Sequence, residues 1–455
     1  MHTKVAVIGG GLAGSEAAWQ LALMGIPCCL FEMRPQVTTP AHKTSYLAEL
    51  VCSNSFRSDD DENNAVGQLH WEMRKAKGLI ISTGDSSRIP AGSAMAVDRE
   101  NFSSKVTQMI ENNSLIEVIK EEVSDINSLN HEEIILATGP LTSEKLLNSV
   151  GKLTNSDNLF FYDAIAPTVY GDSINLEKIW FQSRYDKGAT KEEREAYLNC
   201  PMSKTEYDDF VENLLISDQS DFNEWERDIP FFSGCLPIEE MAKRGKETLR
   251  FGPMKPVGLT NPHNTNDLHA VVQLRKENSE GTLYNLVGFQ TKIKYSRQAE
   301  IFRKINGLEK ARFARLGGIH KNTFFNSPKI LNNSLQLKTN PKISMAGQIT
   351  GVEGYIESAA IGLLVGRLVG SRILGKKCIL PKPTTALGAL VSHILMENRN
   401  FQPMNINFGL FKQSAYNPKG RKNRKERYSM YTKTAKIEFL EWLQSSQEGT
   451  FNKAS

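Results

Sequence analysis

The chain is poor in the residues that hold metals or cross-link domains. Its six cysteines include no C-x-x-C pair and no His-rich spacing, so the sequence predicts neither a structural zinc site nor a disulfide framework. We expect free thiols and no bound metal. The cysteines are Cys28, Cys29, Cys52, Cys200, Cys235 and Cys378.

Long apolar runs are also missing. None approaches the roughly 20 residues needed to cross a bilayer. No basic flank and cleavable apolar segment precede the first predicted strand, which starts near residue 4. We therefore expect a cytoplasmic protein without a membrane partner. The oligomeric state stays open, with a monomer favoured.

Excess charge of one sign is small overall, at +4, but it is unevenly placed. Residues 411–436 hold nine basic residues and one acidic residue, so this window carries +8 and the rest of the chain −4. A solvated basic helix and an RNA-binding surface both fit the pattern, with Tyr416 and Tyr431 as possible stacking rings. The candidate RNA-contacting residues are Lys419, Arg421, Lys422, Arg424, Lys425 and Arg427.

The beginning of the chain contains a complete dinucleotide-binding pattern. An apolar run at 5–8 is followed by G-x-G-x-x-G, a helix length and a second apolar run that ends at Glu32. Glycines at this spacing permit a tight turn and a close approach of a pyrophosphate to the helix N-terminus. An acidic residue at the second strand accepts hydrogen bonds from an adenosine ribose and repels a 2′-phosphate, so FAD or NAD is expected. The candidate cofactor residues are Gly9, Gly10, Gly11, Leu12, Ala13, Gly14 and Glu32.

Two later segments favour FAD over NAD. A predicted strand at 134–136 runs into A-T-G at Gly139, a turn found in many flavoproteins with two dinucleotide sites. Another predicted strand, at 343–346, ends at Gly347 and Gln348 and precedes a small-residue helix at 358–366. The N-terminus of that helix could direct its positive end at the flavin pyrimidine ring.

These segments predict an α/β fold with a doubly wound, Rossmann-type domain like that of glutathione reductase. The domain is discontinuous, at 1–170 and 330–455, and includes a basic C-terminal helical region at 383–455. Residues 171–329 are predicted to form an inserted α+β domain. Its expected helices are 191–197 and 206–215, and its expected strands are 268–274 and 282–288.

Two cysteines lie in settings that could activate a thiol. Cys52 is surrounded by polar residues and close in sequence to Arg57, and Cys235 follows a glycine and precedes a Pro-terminated turn. From these surroundings alone, an inert loop cysteine is as good an interpretation as a nucleophile or a base.

The longest motifs resemble those of the folate- and FAD-dependent tRNA (uracil-5-)-methyltransferases. The similarity extends over nearly the whole chain and includes the basic tail. The motifs that carry it are H-K-T…A-E-L-V-C-S-N-S at 42–55, P-A-G-S-A-M-A-V-D-R at 90–99, S-G-C-L-P-I-E-E-M-A-K-R-G at 233–245, L-R-F-G-P-M-K-P-V-G-L at 249–259, A-G-Q-I-T-G-V-E-G-Y-I-E-S-A-A at 346–360 and N-I-N-F-G-L at 405–410.

The resemblance implies that 5-methyluridine forms at the T-loop uridine of tRNA, position 54. The one-carbon unit would come from 5,10-methylenetetrahydrofolate and the hydride from FAD reduced by NADPH or NADH. By motif position, Cys235 matches the cysteine proposed to attack uracil carbon 6, and Cys52 matches the second essential thiol. Tyr355 matches an aromatic residue placed against the flavin.

Three other functions remain open from the sequence. The same chemistry could act on a uridine of 23S ribosomal RNA, or the protein could be a flavin oxidoreductase of a small molecule. A non-enzymatic FAD-containing RNA-binding module is the fourth hypothesis, although such a module would have no use for two poised thiols.

Overall fold

The computed structural model describes residues 4–155, 159–218, 231, 236–263, 268–398, 401–412 and 423–448. The strands in these residues are β1 Val5–Ile8, β2 Cys28–Phe31, β3 Ser55–Ser58, β4 Arg88–Ile89, β5 Ala94–Val97, β6 Ile116–Ile119, β7 Glu133–Leu136, β8 Leu159–Ile165, β9 Thr168–Tyr170, β10 Trp180–Phe181, β11 Tyr197–Met202, β12 Ala270–Lys276, β13 Leu283–Leu286, β14 Phe313–Arg315, β15 Gly318–Phe324 and β16 Ile343–Met345.

The helices of the same residues include several short ones of a single turn. They are α1 Leu12–Leu23, α2 Ala65–Lys75, α3 Leu79–Ser86, α4 Arg99–Glu111, α5 Glu144–Thr154, α6 Lys191–Arg194, α7 Lys204–Ile216, α8 Ile238–Lys243, α9 Tyr295–Phe302, α10 Ser327–Ile330, α11 Tyr355–Ile373, α12 Ala386–Leu395 and α13 Arg424–Glu448. Of these helices, none combines the length and the apolar composition required to span a membrane.

The first domain is built on a parallel sheet with the strand order β16-β7-β1-β2-β6. Strands β1 and β2 are buried at every position, as expected for apolar strands covered on both faces. In this sheet β2 lies on one side of β1 and β7 lies on the other, so the direction in which strands are added reverses at β1. Ligands of doubly wound sheets bind at such a reversal, beyond the carboxyl ends of the strands, and the doubly wound prediction is confirmed.

The second domain contains an antiparallel sheet with the order β10-β11-β12-β13-β9-β14. It has its own buried core, formed with α7, α8 and α9. The antiparallel pair β8 and β15 carries the chain out of the first domain and back again. A smaller sheet, β3-β5-β4, lies beside α2 and α3.

The structure confirms some of the helices and strands predicted for the second domain and corrects the bounds of others. The helix expected at 206–215 lies inside α7, but the helix expected at 191–197 is wrong in its second half. Thr190 and Glu193 form a capping box that starts α6, and the helix ends at Arg194. Tyr197 then begins β11, whose alternate side chains enter the core. The expected strands at 268–274 and 282–288 are found as β12 and β13 with shifted ends.

Candidate functional site

The turn between β1 and α1 lines a groove at the carboxyl end of the parallel sheet. Gly9 has φ +102°, a backbone conformation that favours glycine, and a Cβ there would meet the backbone of residue 137 at 2.7 Å. A Cβ on Gly11 would meet nothing within 4 Å, because this residue faces the groove. A Cβ on Gly14 would lie 1.8 Å from the carbonyl oxygen of Gly9. Gly9 therefore permits the turn, and Gly11 leaves the groove open. Gly14 permits the close contact between the turn and the helix.

Glu32 directly follows β2 and is buried beside this turn. Its carboxylate accepts a hydrogen bond from the backbone N–H of Gly10 at 2.9 Å and one from Arg34 Nε at 2.8 Å. Burial would raise the pKa of Glu32, but the hydrogen bonds and charge of Arg34 outweigh it and hold that pKa below its usual value. Arg34 also pairs with Glu49, and both of them line the groove. Arg34 was not among the site residues expected from the sequence, where its signal is a cation two residues after Glu32.

Residues from three further places in the chain also line the groove. Gly139, with φ +68°, leads from β7 into a short turn, and a Cβ there would also meet nothing within 4 Å. Gln348 and Tyr355 belong to the segment after β16, and both line the groove. Leu12 and Ala13 line it from the first turn of α1. The expected cofactor residues that do not line it directly are Gly10, Gly14 and Gly347.

Helix α11 begins at Tyr355, three residues earlier than expected, and this places its N-terminus beside the groove. The Tyr355 hydroxyl accepts hydrogen bonds from the backbone N–H groups of Cys52 and Ser53, at 2.7 and 3.1 Å. Burial, together with the nearby Cys52, raises the pKa of Tyr355, so the phenol stays protonated. Its ring meets Phe56 edge-on, with the ring centroids 6.3 Å apart.

Cys52 lies in the loop between the groove and the second domain. Its Sγ approaches the carbonyl oxygen of Ala164 at 3.8 Å. Arg57, which stands close to Cys52 in the sequence, forms its ion pair with Glu357 instead. The arginines that reach the backbone carbonyl of Cys52 are Arg99 and Arg315, and neither was expected from the sequence.

A buried acid lies behind Gln348. Glu353 accepts a hydrogen bond from Gln348 Nε2 at 2.5 Å. Burial raises the pKa of Glu353 well above its usual value, and the nearby Asp163, Glu357 and Cys52 raise it further. Glu353 does not line the groove itself but contacts it through Gln348, which does.

Several expected site residues lie outside the described part of the chain: Cys235, Lys419, Arg421, Lys422 and Tyr416. Arg424 and Lys425 are exposed on the first turn of α13. Arg424 and Arg427 lie over the ring of Tyr428, with 5.1 and 5.7 Å to its centroid. Tyr431 is buried against Phe411, so the expectation that its ring is available for stacking on a base is wrong.

The sequence and the fold of this chain are both similar to those of known proteins. Residues 4–377 match the profile of the family described as glucose inhibited division protein A. The GidA structure from Aquifex aeolicus in its form II crystal has a TM-score of 0.69 with 16% identity, covering 98% of this chain and 74% of that chain, and so supports the fold.

Two curated relatives are much more similar in sequence. Both carry the name methylenetetrahydrofolate–tRNA-(uracil-5-)-methyltransferase TrmFO. The protein from Hyphomonas neptunium is 57% identical over 89% of this chain and 88% of its own length. The protein from Roseobacter denitrificans is 56% identical over 98% of this chain and 100% of its own length. The chain therefore belongs to the glucose inhibited division protein A family and, within it, to the TrmFO proteins.

Proposed function

We propose that this protein methylates carbon 5 of a uridine in tRNA, with 5,10-methylenetetrahydrofolate as the one-carbon donor. We further propose the T-loop uridine at position 54 as the target, FAD as the bound cofactor and NADPH or NADH as the reductant. The observation that carries the proposal is identity of 56–57% with TrmFO enzymes over at least 89% of the chain.

The residues that line the groove suit FAD. The space in front of Gly11 and Gly139 would be filled by a Cβ, which suits a pyrophosphate at the N-terminus of α1. Glu32 would hold the adenosine ribose, and Gln348 and the N-terminus of α11 would face the flavin. When bound and reduced, FAD supplies the hydride that converts a methylene unit into a methyl group.

The side chains of the protein perform the remaining steps. Uracil carbon 5 is a weak nucleophile until a thiolate adds to carbon 6, and we assign this addition to Cys235. We assign to Cys52 the removal of the carbon 5 proton. The Cys235 thiolate then leaves carbon 6 as the hydride reaches the methylene group on carbon 5. Tyr355, which stays protonated, holds the backbone of the Cys52 loop beside the groove.

Binding of a structured RNA accounts for the basic C-terminal region. A T-loop uridine is stacked inside folded tRNA, and its exposure costs a few kcal/mol. Phosphate contacts from Arg424, Lys425 and Arg427, together with Lys419, Arg421 and Lys422, would offset this cost.

Nucleoside analysis tests the proposed reaction directly. RNA is incubated with the purified protein, NADPH and methylenetetrahydrofolate labelled in its methylene group. We expect labelled 5-methyluridine in tRNA. Label in ribosomal RNA alone would change the substrate, and absence of label from both would leave a flavin oxidoreductase of a small molecule.

A trapping experiment tests the two thiol roles. With RNA containing 5-fluorouridine, the fluorine blocks loss of the carbon 5 substituent, so the thiol adduct at carbon 6 persists through denaturation. Cys235→Ala should keep its FAD and still oxidise NADPH, yet form no adduct. Cys378→Ala is the control, because Cys378 does not line the groove and its thiol donates to the Leu368 carbonyl. If Cys235→Ala still traps RNA and Cys52→Ala does not, the two roles are reversed.

A further inference from the structure

The loop that carries Cys52 is held by side chains on its carbonyl side. Arg99 donates to the carbonyl oxygen of Leu50 at 2.6 Å and to that of Cys52 at 3.0 Å. Arg315 donates to the carbonyl oxygen of Val51 at 2.9 Å and to that of Cys52 at 3.2 Å. Each guanidinium thus bridges two carbonyl oxygens, a geometry that its fixed fork of donors allows.

The N–H side of the same loop is held by Tyr355, whose hydroxyl accepts from Cys52 and Ser53. The peptide groups on both sides of the Cys52 Cα are therefore restrained, which limits the direction of its Cα–Cβ bond. The thiol is half-buried, and its Sγ lies 3.8 Å from the carbonyl oxygen of Ala164.

The two arginines come from different domains. Arg99 is the first residue of α4 in the first domain, whereas Arg315 ends β14 in the second domain. Glu277, directly after β12, joins them: its Oε1 is 2.8 Å from Arg99 Nη2 and 3.7 Å from Arg315 Nη2. Burial would raise the pKa of Glu277, but both arginines lower it, and the net effect keeps the carboxylate ionised between them.

We infer that Arg99, Glu277 and Arg315 are positioning residues for Cys52, and that the second domain completes the thiol site of the first. The arginines act through the loop backbone, while Glu277 holds the two guanidinium groups next to each other. The inference rests on the proposed function for the reaction that Cys52 serves.

Replacement by lysine separates positioning from charge. An ammonium group keeps the positive charge but cannot bridge two carbonyl oxygens as a planar fork does. We therefore use Arg315→Lys and Arg99→Lys, with Glu277→Gln as a variant that preserves side-chain shape. Arg312→Lys is the matched control, because Arg312 lies three residues before Arg315 and pairs with Asp172 at the surface.

The test follows two readouts on the FAD-loaded enzyme. The first is the rate at which iodoacetamide alkylates each cysteine at one fixed pH, measured by peptide mapping. The second is kcat and KM for methylation of tRNA. In Arg315→Lys we expect alkylation of Cys52 to become at least about fivefold faster and kcat at least about tenfold lower, with KM for tRNA and FAD content unchanged. Arg99→Lys and Glu277→Gln should change in the same directions, and Arg312→Lys should match the wild type.

Buried Cys28 and Cys200 provide an internal control for loss of structure. If their alkylation accelerates together with that of Cys52, the arginines only dock the domains and the inference is overturned. Unchanged Cys52 alkylation and unchanged kcat in all three variants would overturn it as well. If the wild type fails to methylate tRNA but Cys52 still responds to the variants as expected, the proposed function falls and the positioning role stands.

Discussion

At the residue scale, Gly11 and Gly14 are both needed after β1, but for different physical reasons. Gly11 has φ −74°, which any residue adopts, and its missing side chain leaves the groove open. Gly14 is missing a side chain that would overlap the carbonyl oxygen of Gly9. The missing side chain of Gly11 thus leaves the groove open, whereas that of Gly14 permits the fold.

Alanine at each position should separate these effects. We expect Gly11→Ala to keep its stability within about 0.5 kcal/mol but to bind FAD at least about tenfold more weakly, ~1.4 kcal/mol. Gly14→Ala should have a lower Tm and retain less FAD, because the backbone itself must move to accommodate the Cβ. Flavin absorbance per protein and thermal unfolding of the apoprotein measure the two properties. Wild-type flavin content in Gly11→Ala would contradict the assignment of the groove.

At the scale of elements, close contact between α1 and α11 brings together the starts of two helices that both line the groove. A Cβ on Gly362 would lie 2.2 Å from the carbonyl oxygen of Ala13, and one on Gly366 would lie 2.6 Å from that of Ala17. The small residues of α11 therefore let the two helices approach until backbone meets backbone. This contact places Tyr355, at the start of α11, near the turn that begins α1.

We expect Gly362→Ala to destabilise the protein by about 1–3 kcal/mol through overpacking and to weaken FAD retention. Gly370→Ala is the control on the same helix, because its Cβ would meet the flexible end of Met24. Urea unfolding and flavin content give the comparison. Equal losses of stability and of FAD in the two variants would show that neither property depends on where along α11 the extra methyl group is placed.

Buried carboxylates join helices in the first domain. Glu72 on α2 accepts hydrogen bonds from the N–H groups of Ala386 and Leu387, both at 2.8 Å, at the start of α12. Glu16 on α1 does the same for Leu79 and Ile80 at the start of α3. Burial raises the pKa of each carboxyl group from 4.5 to about 7.

The raised pKa makes the contribution of Glu72 dependent on pH. Between pH 4.5 and 7 the folded state binds this proton and the unfolded state releases it, so the stabilisation present at low pH is lost as pH rises. The advantage of wild type over Glu72→Gln in unfolding free energy should therefore shrink by on the order of 2 kcal/mol from pH 5 to 7.5. Glu441→Gln, on the exposed face of α13, is the control. A difference that stays constant with pH would contradict the shift.

At the scale of the whole molecule, α13 attaches the basic C-terminal region to the first domain. Lys436 pairs with Asp61 at 2.8 Å, and Thr432 donates to the carbonyl of Glu62 at 2.9 Å. Phe439 packs against Trp71 of α2. These contacts occupy the middle of the helix and leave the cations of its first turn exposed, where RNA phosphates could reach them.

Neutralising Lys422, Arg424, Lys425 and Arg427 together should weaken tRNA binding while NADPH oxidation stays near wild type. The plot of log affinity against log salt has a slope of roughly −0.9 per duplex phosphate contact and −0.7 for single strands. Loss of two to four contacts should make the slope shallower by about 1.5 to 3.5. Titration of labelled tRNA at several salt concentrations measures it. Neutralising exposed Lys304 and Lys310 in the second domain is the control, and an unchanged slope in the first variant would move the RNA surface elsewhere.

Local chemistry explains which features could be predicted. The strand–turn–helix unit around Gly9 and the acidic end of β2 are set by residues close together in the chain, so their pattern is visible in the sequence. The extent of α6 was mispredicted because charged residues alone do not show that Tyr197 pairs with Arg275 in the antiparallel sheet.

The sequence by itself determined the dinucleotide-binding unit, the family resemblance and the identity of the candidate thiols. Turn geometry, strand periodicity and long motifs depend on neighbouring residues, and these are read directly from the chain. Only the tertiary structure decided what surrounds Cys52, since Tyr355 lies 303 positions away in sequence and Arg315 lies 263 away. Contacts at such separations arise from the packing of two domains, and no local pattern near Cys52 encodes them.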